Sequence, residues 1–212
     1  MKPLTIVCIS DTHELHRELD VPAGDILIHA GDFTMFSKSA SAILDFNEWL
    51  GKLPHRWKIL IPGNHEFFLE SDPSRRRLIS NATVLINEGI EIAGLKIWGS
   101  PVTPLYGGAF GLSSPADRVK LYAKIPDGLG ILVTHGPPSG ILDRSPGALN
   151  NAGCSQLLEA VTRLKPKLHV FGHVHGAHGM LSTEGTLFVN AALLGPDDDL
   201  CASPIVLRMP KV

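Results

Sequence analysis

Residues 4–13 read LTIVCISDTH, and the fold turns on how that stretch is parsed. A short run of β-branched and apolar residues from Leu4 to Ile9 meets Ser10, Asp11, Thr12 and His13 without a gap. Such a run, stopped by polar residues, predicts a buried strand that ends in chemistry-bearing side chains. The same sequence grammar recurs along the chain. Residues 25–29 (DILIH) run into Gly31-Asp32, and residues 58–61 (KILI) into Gly63-Asn64-His65-Glu66. Residues 129–134 run into His135-Gly136, and residues 168–171 into Gly172-His173-Val174-His175. Side chains at the C-terminal ends of strands in α/β sheets converge on a crevice, where such folds bind ligands. One site built from five strand ends is therefore expected.

Outward from these strands, residues 39–51 (SASAILDFNEWLG) place Ile43, Leu44, Phe46, Trp49 and Leu50 at near-helical spacing, with a serine-rich start and Gly51 as a stop signal. A shorter helix is predicted over 71–80, with proline near its first turn, and further helices over 115–124 and 154–165. Strands are predicted at 83–86, 90–93, 95–98, 187–190 and 204–207, with 90–93 and 95–98 joined at Gly94 as an antiparallel hairpin. Residues 99–111, rich in proline and glycine and carrying Tyr106 and Phe110, read as a long ordered loop of the kind that is often functional. Strands alternating with helices, then clustered strands, predict a mixed α/β layered fold. The 212 residues make a single domain the expectation, with no repeat, linker or low-complexity tract. Residues 197–199, the one charge run, read as a solvated loop.

Composition excludes several classes of function. Hydrophobic residues at 44% and charged residues at 19% are an ordinary globular balance. A net charge of −2 supplies no broad basic field, which argues against extended nucleic acid or an anionic membrane as partner. No run approaches the ~20 apolar residues of a bilayer span, and the N-terminus does not read as a signal peptide. Cys8, Cys154 and Cys201 are odd in number and lack C-x-x-C spacing, so reduced, mostly packed thiols in a cytoplasmic protein are expected.

Histidine is the unusual residue: ten of them against two tyrosines. The five strand-end pieces offer the carboxylates of Asp11 and Asp32, the imidazoles of His13, His135, His173 and His175 besides His65, and the amide oxygen of Asn64. Two ions sharing one carboxylate would use that set fully. Asp11-x-His13 and His173-x-His175, read as extended backbone, put both members of each pair on one side. Each piece alone has an ordinary reading as a turn or a packed histidine; their ordered coincidence at five strand ends does not. Imidazole with carboxylate suits Mn²⁺, Fe²⁺, Zn²⁺ or Ni²⁺ better than Ca²⁺ or Mg²⁺, and Mn²⁺ or Fe²⁺ is the expectation. His29 reads either as a support behind the site or as a buried structural histidine. Glu66 reads as orienting a ligand or His65, or as a turn residue. His16, His55 and His169 read as surface or packing residues.

The pattern D-x-H, G-D, G-N-H-[DE], H and G-H-x-H, complete and in order, resembles that of the calcineurin-like metallophosphoesterases. The phrases ISDTH, DILIHAGDFT, FNEWLGKLP, IPGNHE, THGPP and PKLHVFGHVH resemble the metallophosphoesterase-domain-containing branch, whose members include phosphodiesterases acting on nucleotides. The resemblance implies a four-layer α-β-β-α sandwich of two mixed β-sheets flanked by helices. It implies that Asp11, His13 and His175 hold one metal, that Asn64, His135 and His173 hold a second, and that Asp32 bridges them. His65 would contact the phosphate and protonate or stabilise the leaving oxygen. Two metals about 3.5–4 Å apart would clamp the phosphoryl oxygens and acidify a bridging water, whose hydroxide attacks phosphorus in line.

With no cap segment in view, residues 13–24, 33–39, 99–111 and 137–151 are left to supply specificity. Phe33 and Phe110 are of a kind to stack on a nucleobase, Arg144 to pair with a phosphate and His178 to reach substrate; each reads equally as packing or as an exposed side chain. An uncapped cleft suits a small phosphodiester such as a cyclic nucleotide. The alternatives are a phosphomonoesterase, acting on nucleotides or proteins, and a non-catalytic scaffold, against which the intact ligand set argues.

Overall fold

The computed structural model describes residues 2–36, 38–104, 107–147, 149 and 151–210. Tyr106 lies outside the described residues. In β1 (Leu4–Ile9), alternate side chains take opposite directions: Leu4, Ile6 and Cys8 enter one core, while Val7 and Ile9 enter another. Both faces of the strand are thus covered, which is why the run has no polar alternation. The strands β2 (Ile26–His29), β3 (Trp57–Leu60) and β4 (Thr83–Val84) extend this first sheet in parallel, and β11 (Ile205–Met209) closes its other edge antiparallel, in the order β11-β1-β2-β3-β4.

The second sheet contains β5 (Glu88–Ile92), β6 (Leu95–Ser100), β7 (Ile131–Thr134), β8 (Leu168–Phe171), β9 (Gly179–Thr183) and β10 (Thr186–Asn190). Its order is β5-β6-β7-β8-β10-β9, with β6, β7, β8 and β10 parallel and the outer strands antiparallel. Between the sheets, Ile6, Ile28 and Ile59 pack with Ile97, Val133, Val170 and Val189. Outside the first sheet, Phe46, Trp49 and Leu50 of α1 (Ala40–Lys52) cover Val7, Ile9 and Leu27. Outside the second, α3 (Pro115–Tyr122) and α4 (Ser155–Leu164) cover Leu132, Phe171 and Phe188. These are the four layers of an α-β-β-α sandwich.

Several local expectations change. Helix α1 runs through Gly51 and stops at Leu53, whose extended backbone precedes Pro54; the proline, not the glycine, sets the boundary. The segment over 71–80 is a 3₁₀ helix, Pro73–Leu78, preceded by a single helical turn, α2 (Phe67–Glu70). Asp72 caps it by accepting from Ser74 N–H at 2.9 Å, but three arginines leave no apolar stripe to carry an α-helix. The hairpin at Gly94 forms, with Ala93 and Gly94 both at positive φ (53° and 81°), as a two-residue turn matched to strand twist requires. Strand β9 was not expected because most of its residues are exposed; its turn signal is Glu184-Gly185, at φ 50° and 85°.

His16, His55 and His169 are all buried packing residues. Cys8 and Cys154 are buried and Cys201 is exposed; all three thiols are free, and burial pushes Cys8 up to about 12. Among the described residues no helix is long and apolar enough to cross a membrane.

Candidate metal centre

The loops leaving β1, β2, β3, β7 and β8 meet at one end of the sandwich. The first two are zipped together by backbone bonds: Asp11 N–H to Gly31 O (2.9 Å), Thr12 N–H to Asp32 O (2.9 Å) and Glu14 N–H to Phe33 O (3.1 Å). His29 joins the same two loops, with Nδ1 accepting from Gly31 N–H at 3.3 Å and Nε2 paired with the Thr12 hydroxyl at 3.1 Å. It therefore supports the site from behind, and burial lowers its pKa to about 3, keeping it neutral.

Asp11, His13, Asp32 and His173 all sit at positive φ (53°, 40°, 54° and 68°). Left-handed backbone at non-glycine residues costs of order 1–3 kcal/mol each and persists where the surroundings over-determine it. The extended-backbone account of the two x-spaced pairs is therefore corrected. Asp11 and His13 still converge, through a turn, but His173 and His175 part company. His175 joins Asp11 and His13 in one group of candidate ligand atoms, while His173 joins Asp32 and His135 in another. The kink at His173 is fixed by its N–H, which donates to both Asp11 carboxylate oxygens at 3.1 and 2.9 Å.

Asp32 stands between the groups. Its Oδ2 lies 3.2 Å from His135 Nε2, 3.9 Å from His13 Nε2 and 3.8 Å from His65 Nε2. Asn64 Oδ1 is 2.8 Å from His135 Nε2. Its backbone carbonyl accepts from Ala109 N–H at 2.9 Å, so the loop over 99–111 braces the Asn64 turn. No side chain fits at Gly63, where a Cβ would fall on the Asp32 carboxylate and the His135 ring. Gly172 is as crowded, against Asp11 and Ser10.

Glu66 is buried and accepts from Asp32 N–H (3.0 Å), Thr34 N–H (2.9 Å), Thr34 Oγ1–H (2.9 Å) and Gly63 N–H (2.5 Å). It is the post that ties the Asp32 and Asn64 loops together. Burial and the neighbouring Asp32 charge push it up to about 7, against the pull of the Gly63 and Thr34 N–H groups.

The donor set fits divalent cations. His13 Nδ1–H donates to Thr34 O at 3.1 Å and His135 Nδ1–H to Ala30 O at 2.9 Å, which turns both Nε2 atoms toward Asp32, where a proton or a cation must sit between them. A backbone carbonyl behind the ring is the usual outer partner of a metal-ligating histidine. The charges agree with this. Burial alone would raise Asp11, but the His175 hydrogen bond and the His135 and His175 charges hold it well below the usual carboxylate range. Burial pulls His135 down, yet Asp32 and Asp11 push it up to about 9. His173, with burial dominant, is lowered to about 4. Two buried carboxylates thus demand positive charge at the point where the imidazoles converge.

The cleft over this centre is about 420 Å³, lined by Asp32, Asn64, His65, His173 and His175 with Asp143, Ser145, Ala152, Val174 and Pro196. Phe33 is fully buried, stacked on Phe46 at 4.5 Å, and so cannot meet a ligand; that expectation is corrected. Phe36 is the aromatic residue at the site: it is 53% exposed and stacks on the His65 ring at 3.8 Å. Its signal was position alone, three residues farther into the same loop. Phe110 is half-buried against the α1-side core, its N–H held by Glu70 at 2.6 Å. Arg144 is exposed, between the cleft residues Asp143 and Ser145 but not lining the cleft itself. His178 Nδ1–H donates to Ala192 O at 2.9 Å, which makes it a loop anchor rather than a cleft residue. Asp198, read as solvated, lies 3.2 Å from His175 Nδ1.

Comparison with known proteins agrees with this architecture. Residues 4–177 match the family model of the calcineurin-like phosphoesterases. The chain is 37% identical to metallophosphoesterase domain-containing protein 1 of Homo sapiens, over 96% of this chain and 70% of that protein. It is 36% identical to UPF0046 protein K07C11.7 of Caenorhabditis elegans, over 98% of this chain and 76% of that protein. Among solved structures, TT1561 of Thermus thermophilus shares the fold with a TM-score of 0.57 at 12% identity, covering 89% of this chain and 88% of its own. The five strand-end motifs, the two facing sheets and these matches place the chain in the calcineurin-like phosphoesterase family, beside the metallophosphoesterase domain-containing proteins.

Proposed function

We propose that the chain is a phosphodiesterase of small substrates, cyclic nucleotides among them, working with two divalent transition ions, Mn²⁺ or Fe²⁺ by preference. Asp11, His13 and His175 would hold one ion and Asn64, His135 and His173 the other, with Asp32 shared. Bound there, the ions supply Lewis acidity to the phosphoryl oxygens and to the attacking water.

The chain's own groups do the rest. Asn64, braced from the 99–111 loop, presents its amide oxygen beside His135. His65 is held below the ordinary histidine range by burial, with Asp32 pulling the other way, so at neutral pH it meets substrate as an uncharged ring. A neutral imidazole N–H is an adequate hydrogen-bond donor to a developing oxyanion. From Nε2, facing the Asp32 side of the cleft, it hydrogen-bonds the leaving oxygen. The exposed face of Phe36, beyond His65, gives an apolar or aromatic leaving group a surface to rest on.

One observation carries the preference for diesters: the described residues lining the cleft include no lysine or arginine. A diester brings one negative charge and a monoester close to two; with no cationic side chain in the lining, the second charge is left to the ions alone, which favours the diester. The experiment is hydrolysis of an aryl phosphodiester and its matching monoester, side by side with Mn²⁺. Faster diester turnover is expected and would lead to 2′,3′- and 3′,5′-cyclic nucleotides; faster monoester turnover would replace this reading with the monoesterase one.

A further inference from the structure

The segment after β10 folds back over the metal centre, and its hydrogen bonds fix where it lies. Ser10 pairs with Ala192, and Leu193 N–H donates to Ser10 O at 3.0 Å, so the chain leaves the second sheet tethered one residue before Asp11. His178 holds the same point through Ala192 O. Leu193 and Leu194 are buried, and Leu194 pairs with Leu200 across a tight loop. Within it, Gly195 N–H donates to Asp199 O at 2.8 Å and Asp198 N–H to Gly195 O at 3.1 Å. Asp198 takes a left-handed φ of 58° in this loop, and its Oδ1 comes to rest 3.2 Å from His175 Nδ1. The other ring nitrogen, Nε2, faces Asp11 Oδ1 at 3.5 Å, inside the Asp11–His13–His175 group.

We infer that Asp198 is a positioning residue for His175: its charge, 3.2 Å from Nδ1, favours the tautomer with the proton on that nitrogen and so leaves the Nε2 lone pair to the first metal position. The inference rests on the metal-binding reading above. His13 and His135 have their rings set from behind by the carbonyls of Thr34 and Ala30. For His175 a carboxylate stands in that place. The Ser145 hydroxyl, donating to the His175 carbonyl, already fixes the backbone; what Asp198 adds is the direction and basicity of the ring. Asp198 is 59% exposed and its pair with His175 lies at the surface, so it contributes little to folding. Its effect belongs to the metal.

The test uses the whole chain loaded with Mn²⁺ and titrated with a competing chelator. Asp198→Ala and Asp198→Asn should weaken one of the two equivalents by about 10- to 100-fold and leave the other unchanged. Asp198→Glu, which restores an acceptor of the same charge, should recover most of the loss. Asp197→Asn removes an equal charge from the same loop and should change nothing. Urea midpoints of all four variants in chelator should match the wild type, which separates aiming from folding. Wild-type affinity for both equivalents in Asp198→Ala and Asp198→Asn would overturn the inference alone, as would equal weakening in Asp197→Asn. A wild type that takes up no Mn²⁺ would overturn the proposed function and this inference with it.

Discussion

His65 is proposed to meet substrate rather than metal, and the surroundings of its ring favour that reading. Its Nε2 lies within reach of His13 and Asp32, close enough to form a third group of candidate ligand atoms. Its Nδ1, however, is buried without a hydrogen-bond partner, whereas His13 and His135 are each aimed by a carbonyl. A ring left free at its back and stacked on exposed Phe36 suits contact with substrate better than ligation. His65→Ala should lower kcat by roughly 10²- to 10³-fold, the usual cost of removing one donor to developing negative charge. Metal content should remain at two ions per chain; loss of one would make His65 a ligand.

At this scale the sequence was legible where residue type and spacing decide chemistry. It was not legible where direction decides. Phe33 and Phe36 occupy one loop, and only packing shows that the first is core and the second rim. Asp198 looks like any surface acid until the fold brings it to His175.

Among the elements, the parallel strands do most to position the site, and β8 carries a testable consequence. His169, on its helix-facing side, touches Phe171 and Phe188, and its Nε2 pairs with Thr134 Oγ1 at 2.8 Å. The Thr134 hydroxyl donates to Gly136 O, so it accepts from His169 Nε2–H; Nδ1 is buried without a partner. Burial lowers the pKa to about 3. The folded state therefore resists a proton that the unfolded chain takes up near pH 6.5. The contribution to stability is complete above that pH and is lost as pH falls toward the folded value, by up to about 1.4 kcal/mol per unit. Urea midpoints in chelator at pH 7.5 and pH 5 should show a steep loss in the wild type and a shallower one in His169→Gln. Equal slopes would show that His169 is not the group that resists protonation.

Elements that bury an apolar run were readable from the sequence, as β1 and α1 show. Those that do not are less so: exposed β9 has no apolar run to mark it, and the arginine-rich 71–80 segment folds as a 3₁₀ turn rather than an α-helix.

For the whole molecule, the two sheets face each other so that strand ends far apart in sequence share one crevice. Asp32 comes from the first sheet and His135 from the second, and they stand 3.2 Å apart. The alternation of strands and helices indicated layers, and the resemblance supplied the count of sheets. What periodicity does not encode is the register between sheets, which depends on contacts such as Ser10 with Ala192. Everything proposed for the site depends on this junction holding two ions through one shared carboxylate. The direct measurement is the number of Mn²⁺ ions bound per chain in the wild type and in Asp32→Asn, which keeps the shape of the side chain and removes its charge. Two ions in the wild type, with both depleted in the variant, is the predicted result. One ion in the wild type, or two retained by Asp32→Asn, would contradict it.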